Sequence, residues 1–167
     1  MRAGDSFMKK GNTMDKKASL LEIEPIFTAI LDGGGVFTLT PRGESMRPTI
    51  LPGRDRVSIV KWDGHANVYD ILFYKRDDGH FVLHRVLGIR KNGFVMCGDN
   101  QIVLEKGVRE DQIIGIVTEI IRPREVLTRG TPAFIAPGRR RARNRPLRIV
   151  YSKLRHLLGL HKKPRQI

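Results

Sequence analysis

Three residues in this chain carry side chains suited to acyl transfer: Ser45 in Gly43-Glu44-Ser45-Met46-Arg47-Pro48-Thr49, His84 in Leu83-His84-Arg85-Val86, and Asp99 in Gly98-Asp99-Asn100. A serine hydroxyl attacks only when a neighbour takes its proton. An imidazole can do so near neutral pH, and a carboxylate can orient that imidazole and stabilise it once charged. Gly43 and Pro48 put Ser45 in a tight turn, from which the hydroxyl can project toward a carbonyl. The Ser45 N–H is a donor for the developing oxyanion, and Gly43, Glu44 and Met46 form the oxyanion and substrate approach, Gly43 letting substrate close on the main chain. Singly, a turn serine, a core histidine and a turn-capping aspartate are commonplace. Their order within strand-like sequence makes them a candidate catalytic set. Cys97 ends an apolar run and reads as a packed thiol. His80 and His84 share one strand face, but no ligand set accompanies them, so the sequence calls for no metal and no cofactor.

The elements that must position these groups follow from the apolar pattern. Leu20, Leu21, Ile23, Ile26, Phe27, Ile30 and Leu31 recur at helical spacing, broken by Pro25 and stopped by Gly33-Gly34-Gly35, which predicts a short helix and glycine turn over 18–35. Afterwards the period is two, or the runs are short: Val36 to Thr40, Arg56 to Val60, Ile71 to Tyr74, Phe81 to Ile89, Phe94 to Cys97 and Ile113 to Ile121. Leu51-Pro52-Gly53, Asp77-Asp78-Gly79 and Lys91-Asn92-Gly93 separate them, the last two as hairpin turns. Residues 36–122 are therefore expected as one mainly β, antiparallel domain. Residues 1–17 read as a disordered leader and 123–146 as a Pro/Arg-rich linker. Residues 147–167 read as a basic amphipathic tail, with Leu147, Val150, Tyr151, Leu154 and Leu158 in one stripe.

The net charge of +14 over 167 residues is unevenly placed. Residues 126–167 hold 12 Lys and Arg and no acid, whereas the preceding 125 residues hold 19 basic against 17 acidic side chains. A basic amphipathic tail fits an anionic membrane surface or an acidic partner, and a near-neutral body offers nucleic acid no second contact surface. One cysteine cannot form an intrachain disulfide, which suits a reducing cytosol. No apolar run approaches the roughly 18–20 residues of a membrane span, and 1–17 lacks the apolar core of an export signal. A cytoplasmic location, with peripheral membrane contact, is the expectation.

Gly43 to Thr49, Tyr69-Asp70-Ile71, Gly98-Asp99-Asn100 and Ile113 to Val117 resemble, in that order, four features of one superfamily: its Ser-Met nucleophile box, its Gly-Asp-Ile/Val strand opening, its Gly-Asp-Asn box and its closing strand. That superfamily joins the signal peptidases to the self-cleaving repressor-type serine peptidases, and the resemblance spans roughly 36–121. His84-Arg85-Val86 matches the histidine form found in archaeal and endoplasmic-reticulum members, where bacterial members have lysine. The resemblance implies Ser45 as nucleophile, His84 as general base and Asp99 as acidic helper. It also implies a coiled antiparallel β-sheet fold and a substrate peptide bound extended along a strand edge. The implied function is a serine endopeptidase cleaving a peptide or leader segment. The alternative is a self-cleaving or catalytically silent regulatory or binding module of the same fold, for which Ala3-Gly4 resembles the repressors' cut site. Two features depart from the signal peptidases: residues 18–35 are too short and interrupted for their membrane-spanning segment, and Gly43 stands where they carry Ser, as in the repressor branch.

Overall fold

A computed structural model describes residues 20–159. The expected leader, with Ala3-Gly4, lies outside the described residues, as does the end of the tail from 160. Helix α1 (Glu24–Asp32) carries Pro25 in its first turn, not as an internal break. Proline is tolerated there because that N–H has no intrahelical partner anyway. Phe27 and Leu31 are its buried residues, and Lys75 donates to both Glu24 carboxylate oxygens at 2.8 Å, tying the helix to the sheet.

Eight strands follow: β1 (Phe37–Leu39), β2 (Arg56–Lys61), β3 (Ile71–Lys75), β4 (Phe81–Arg90), β5 (Gly93–Cys97), β6 (Glu105–Val108), β7 (Ile113–Arg122) and β8 (Glu125–Thr128). They form one antiparallel sheet in the order β1-β2-β7-β3-β4-β5-β6, with β8 also on β7. Both faces of the sheet are covered. Because successive side chains on a strand alternate, Ile71, Phe73 and Leu83 join Val57, Ile59, Val117 and Ile120 in a core under α1. Leu72, Tyr74 and Val86 join Phe94, Met96, Val108 and Ile116 in a second core. Phe27 anchors the first, with Phe37, Phe73 and Phe81 rings 5.2–5.6 Å away. The register Leu72↔His84 and Ile71↔Arg85 fixes which core each residue of β4 faces.

The segment expected as a linker is folded. It supplies β8 and helix α2 (Pro132–Arg143), which is followed by α3 (Arg145–Leu157). The Thr131 hydroxyl caps α2 by accepting from the Phe134 N–H, Pro132 occupies the first turn, and Phe134 is fully buried. Dense Arg and Pro hide this helix from a periodicity reading, because Phe134 and Gly138 are its only buried residues. Gly138 is where α2 closes on β4: a Cβ there would lie 2.1 Å from Cδ of the buried Arg85. Ala in an open helix is favoured over Gly by about 1 kcal/mol, but here Gly138→Ala is expected to cost about 1–3 kcal/mol through overpacking. A urea midpoint that rose instead would show α2 free to move off Arg85.

Candidate active site

Ser45 lies in a single 3₁₀ turn, Glu44–Met46, between β1 and β2. The turn is pinned from beneath by Met46, which is 2 % exposed and part of the first core. Beside it sits the Gly98-Asp99-Asn100 turn. The Asn100 N–H donates to the Ser45 carbonyl at 2.7 Å and the Asn100 side-chain amide to the Glu44 carbonyl at 3.2 Å. Gly98 allows this approach, since a Cβ there would fall 2.6 Å from the Ser45 carbonyl oxygen and 3.0 Å from the Ser45 Cβ. The pairing of β4 with β5 ends at Arg85↔Cys97. One more step of that register would set Gly98 opposite His84, so the Ser45 turn rests against the position neighbouring His84. No hydrogen bond joins the Ser45 hydroxyl to His84 among the described residues, and such contacts commonly tighten only with substrate bound.

His84 is 3 % exposed and faces the second core. Its Nδ1 lies 3.2 Å from the Tyr74 hydroxyl, which in turn donates to Glu105 Oε2 at 2.7 Å. Arg76 clamps the same carboxylate with Nε to Oε1 at 2.8 Å and Nη2 to Oε2 at 2.6 Å. Burial and Glu105 push the Tyr74 hydroxyl upward, so it keeps its proton. Burial alone would raise Glu105, but the hydrogen bonds and charge of Arg76, with the Tyr74 hydroxyl, hold it below the ordinary carboxylate range. The single Tyr74 proton is spent on Glu105, so the Tyr74 oxygen accepts from Nδ1–H. That tautomer leaves Nε2 of His84 unprotonated, the form a general base requires.

Burial pushes the His84 imidazole down to about 4, with Arg76 acting in the same sense against Glu105 and Asp99. A depressed histidine contributes stability that is complete above its unfolded value, near 6.5, and is lost as pH falls toward the folded value. Between pH 6.5 and 4.5 the protein is expected to lose on the order of 2–3 kcal/mol on this account, beyond any contribution of the carboxylates. Urea denaturation of wild type and His84→Gln at those two pH values checks this. An equal loss in both proteins would assign the effect elsewhere.

Asp99 acts on His84 through its charge, while its hydrogen bonds go elsewhere. Nε of Arg85 donates to Oδ1 and Nη2 to Oδ2, each at 2.8 Å, and the Thr49 hydroxyl donates to Oδ2. No hydrogen bond joins Asp99 to His84 among the described residues. The physical reason is strand alternation: His84 and Arg85 are consecutive on β4 and point to opposite faces, and Asp99 lies on the Arg85 side. Arg85, wholly buried, also donates from Nη1 to the carbonyls of Tyr69 and Phe134 and lies over the Phe134 ring. This one side chain binds β4 to the Gly98-Asp99-Asn100 turn, the start of β3 and α2. Tyr74 and Glu105, which hold the imidazole, carried no sequence signal. Tyr74 reads as a strand aromatic, and Glu105 lies in a segment without alternation.

The remaining expected positions divide by side chain and backbone. Gly43 is exposed with open space where a Cβ would stand, and exposed Glu44 pairs with Arg47 at 2.6 Å. Met46, placed on the substrate approach from sequence, buries its side chain and can offer only backbone there. Cys97 is buried, its thiol is raised by burial, and it points at the Gly98 and Val103 carbonyls, 3.4 and 3.3 Å away. Tyr69 holds φ +80°, a region natural to glycine. Exposed His80 pairs with Asp78 at 3.1 Å, apart from buried His84. No helix among the described residues is long and apolar enough to cross a membrane. Comparison with protein-family models, curated proteins and solved structures finds no match to this chain.

Proposed function

We propose that this chain is a serine endopeptidase of the histidine type, built on the coiled antiparallel sheet of the signal-peptidase-like superfamily. The observation that carries the reading is the Ser45 turn locked against Gly98 beside a buried His84 whose Nδ1 is held as a donor. Ser45 Oγ attacks the peptide carbonyl carbon while Nε2 of His84 takes the hydroxyl proton. The imidazolium then returns that proton to the leaving amine as the C–N bond breaks. Water, deprotonated by Nε2, hydrolyses the acyl-enzyme, and Ser45 recovers its proton. Tyr74, backed by Glu105 and Arg76, is the positioning residue that keeps the productive tautomer.

Two further features support the assignment. Tyr69 adopts left-handed backbone at the position where the resembling motif has glycine. Strand β1 pairs on one side, with β2, and runs directly into the Ser45 turn, so an extended peptide added to its open edge would be led toward the nucleophile. The test compares wild-type protein with Ser45→Ala on a panel of leader peptides, read by mass spectrometry. Cleavage by wild type alone is expected. Equal cleavage by both proteins overturns the mechanism, and a panel left intact by wild type favours the silent binding module.

A further inference from the structure

Helix α3 is amphipathic the wrong way round for a soluble domain. A surface helix ordinarily turns its apolar stripe to the core. Here Leu147, Val150, Tyr151, Leu154, Leu157 and Leu158 form the stripe at helical spacing, and all face solvent, from 49 % exposed at Leu154 to 83 % at Leu157. The face turned toward the protein carries Arg145, Arg148 and the half-buried Ile149. Arg145 Nε donates to the Ile102 carbonyl at 2.8 Å, and Arg148 Nη1 reaches the carbonyls of Asp99 and Gln101 at 3.3 and 3.2 Å. Those arginine contacts fix the stripe outward.

We propose that α3 is a docking surface for an anionic lipid bilayer, lying flat with this stripe in the interface. Its 13 residues give roughly 20 Å of apolar edge. Exposed Lys153 lies on α3 itself, exposed Arg139, Arg140 and Arg143 lie on the preceding helix α2, and no acidic residue occurs from 126 onward. Aliphatic side chains with one tyrosine, accompanied by cations, match the acyl and phosphate layers of such a surface. A second copy fits poorly, because a two-fold interface would set this basic segment against itself. The lipid contact stands whether or not Ser45 is a nucleophile. Its consequence for the site comes through the turn that α3 grips: Arg148 holds the Asp99 carbonyl while the next residue, Asn100, holds Ser45. A bilayer on the outer face of α3 is therefore separated by the thickness of that helix from the turn that supports Ser45.

The test is co-sedimentation of the full chain with vesicles of phosphatidylcholine alone or mixed with phosphatidylglycerol, beside a Leu147→Glu/Leu154→Glu variant. Both side chains are exposed, so the variant should keep the wild-type melting curve. Binding to the anionic vesicles is expected to exceed that to neutral ones by at least about tenfold, since each basic residue at the surface adds about 1 kcal/mol. The variant is expected to lose that binding. Wild type that stays in the supernatant with anionic vesicles, or a variant that binds them equally, overturns the proposal. Wild type that ignores vesicles but binds a poly-glutamate peptide, or forms a dimer that the variant breaks, overturns it in favour of an acidic protein or a second copy.

Discussion

Asp99→Ala is expected to destabilise the fold by about 3–5 kcal/mol, because it leaves the Arg85 guanidinium buried without its carboxylate. Single domains are stable by only about 5–15 kcal/mol in total, so the variant would stand near the edge of folding. The bidentate pair also receives the Thr49 hydroxyl, and Arg85 reaches the Tyr69 and Phe134 carbonyls, so the loss spreads into the Ser45 turn, β3 and α2 together. Exchanging both members for apolar side chains, Arg85→Met with Asp99→Leu, is expected to recover part of the loss, since no unpaired charge then remains. Asp99→Asn separates a structural role from a catalytic one. On the geometry here its urea midpoint falls and activity follows the folded fraction. A variant with the wild-type midpoint and activity lower by orders of magnitude would restore Asp99 as the orienter of His84.

On the proposed mechanism, the largest effect on activity is expected at the Ser45 and His84 pair. Removing the base with His84→Ala should lower kcat/KM by about 10²–10⁴. Ser45→Ala should reach a similar floor, and the double variant should fall little further, because the two act as a unit. Tyr74→Phe removes the Nδ1 acceptor while keeping the ring. Loss of one neutral hydrogen bond, about 1–1.5 kcal/mol, corresponds to roughly tenfold in rate. The pH profile carries the distinguishing readout. In wild type the acid limb of kcat/KM should lie near the depressed His84 value of about 4, because protonation there removes the base. In Tyr74→Phe the Glu105 carboxylate, 3.7 Å from Nδ1, faces the imidazole with no hydroxyl between them, and the limb should move upward. An unmoved limb would make Tyr74 a packing residue only.

Much of the sheet was legible because strand alternation is a local property. Phe81 to Ile89 announces β4, and Asp78-Gly79 and Asn92-Gly93 announce its two hairpins, from alternation and turn residues contained in the segment itself. Strands β6 and β8 were not legible. Each buries a single apolar residue, Val108 or Leu127, and becomes a strand by pairing with a neighbour already in place. Helix α2 was hidden for the related reason that it buries only Phe134, in the first core, and Gly138, against Arg85, too few positions to make a periodic apolar pattern.

The candidate site divides along the same line. Gly43 and Pro48 marked the Ser45 turn, and the parity of β4 placed His84 and Arg85 on opposite faces, both consequences of covalent spacing alone. Which groups meet them was decided by pairings between distant segments. Glu105, 31 residues beyond Tyr74, accepts its hydroxyl proton, and Asp99, 14 residues beyond Arg85, takes the guanidinium in place of the imidazole. Spacing along a chain sets the direction in which a side chain points. The partner at the end of that direction depends on register and turn geometry, which only the folded sheet supplies.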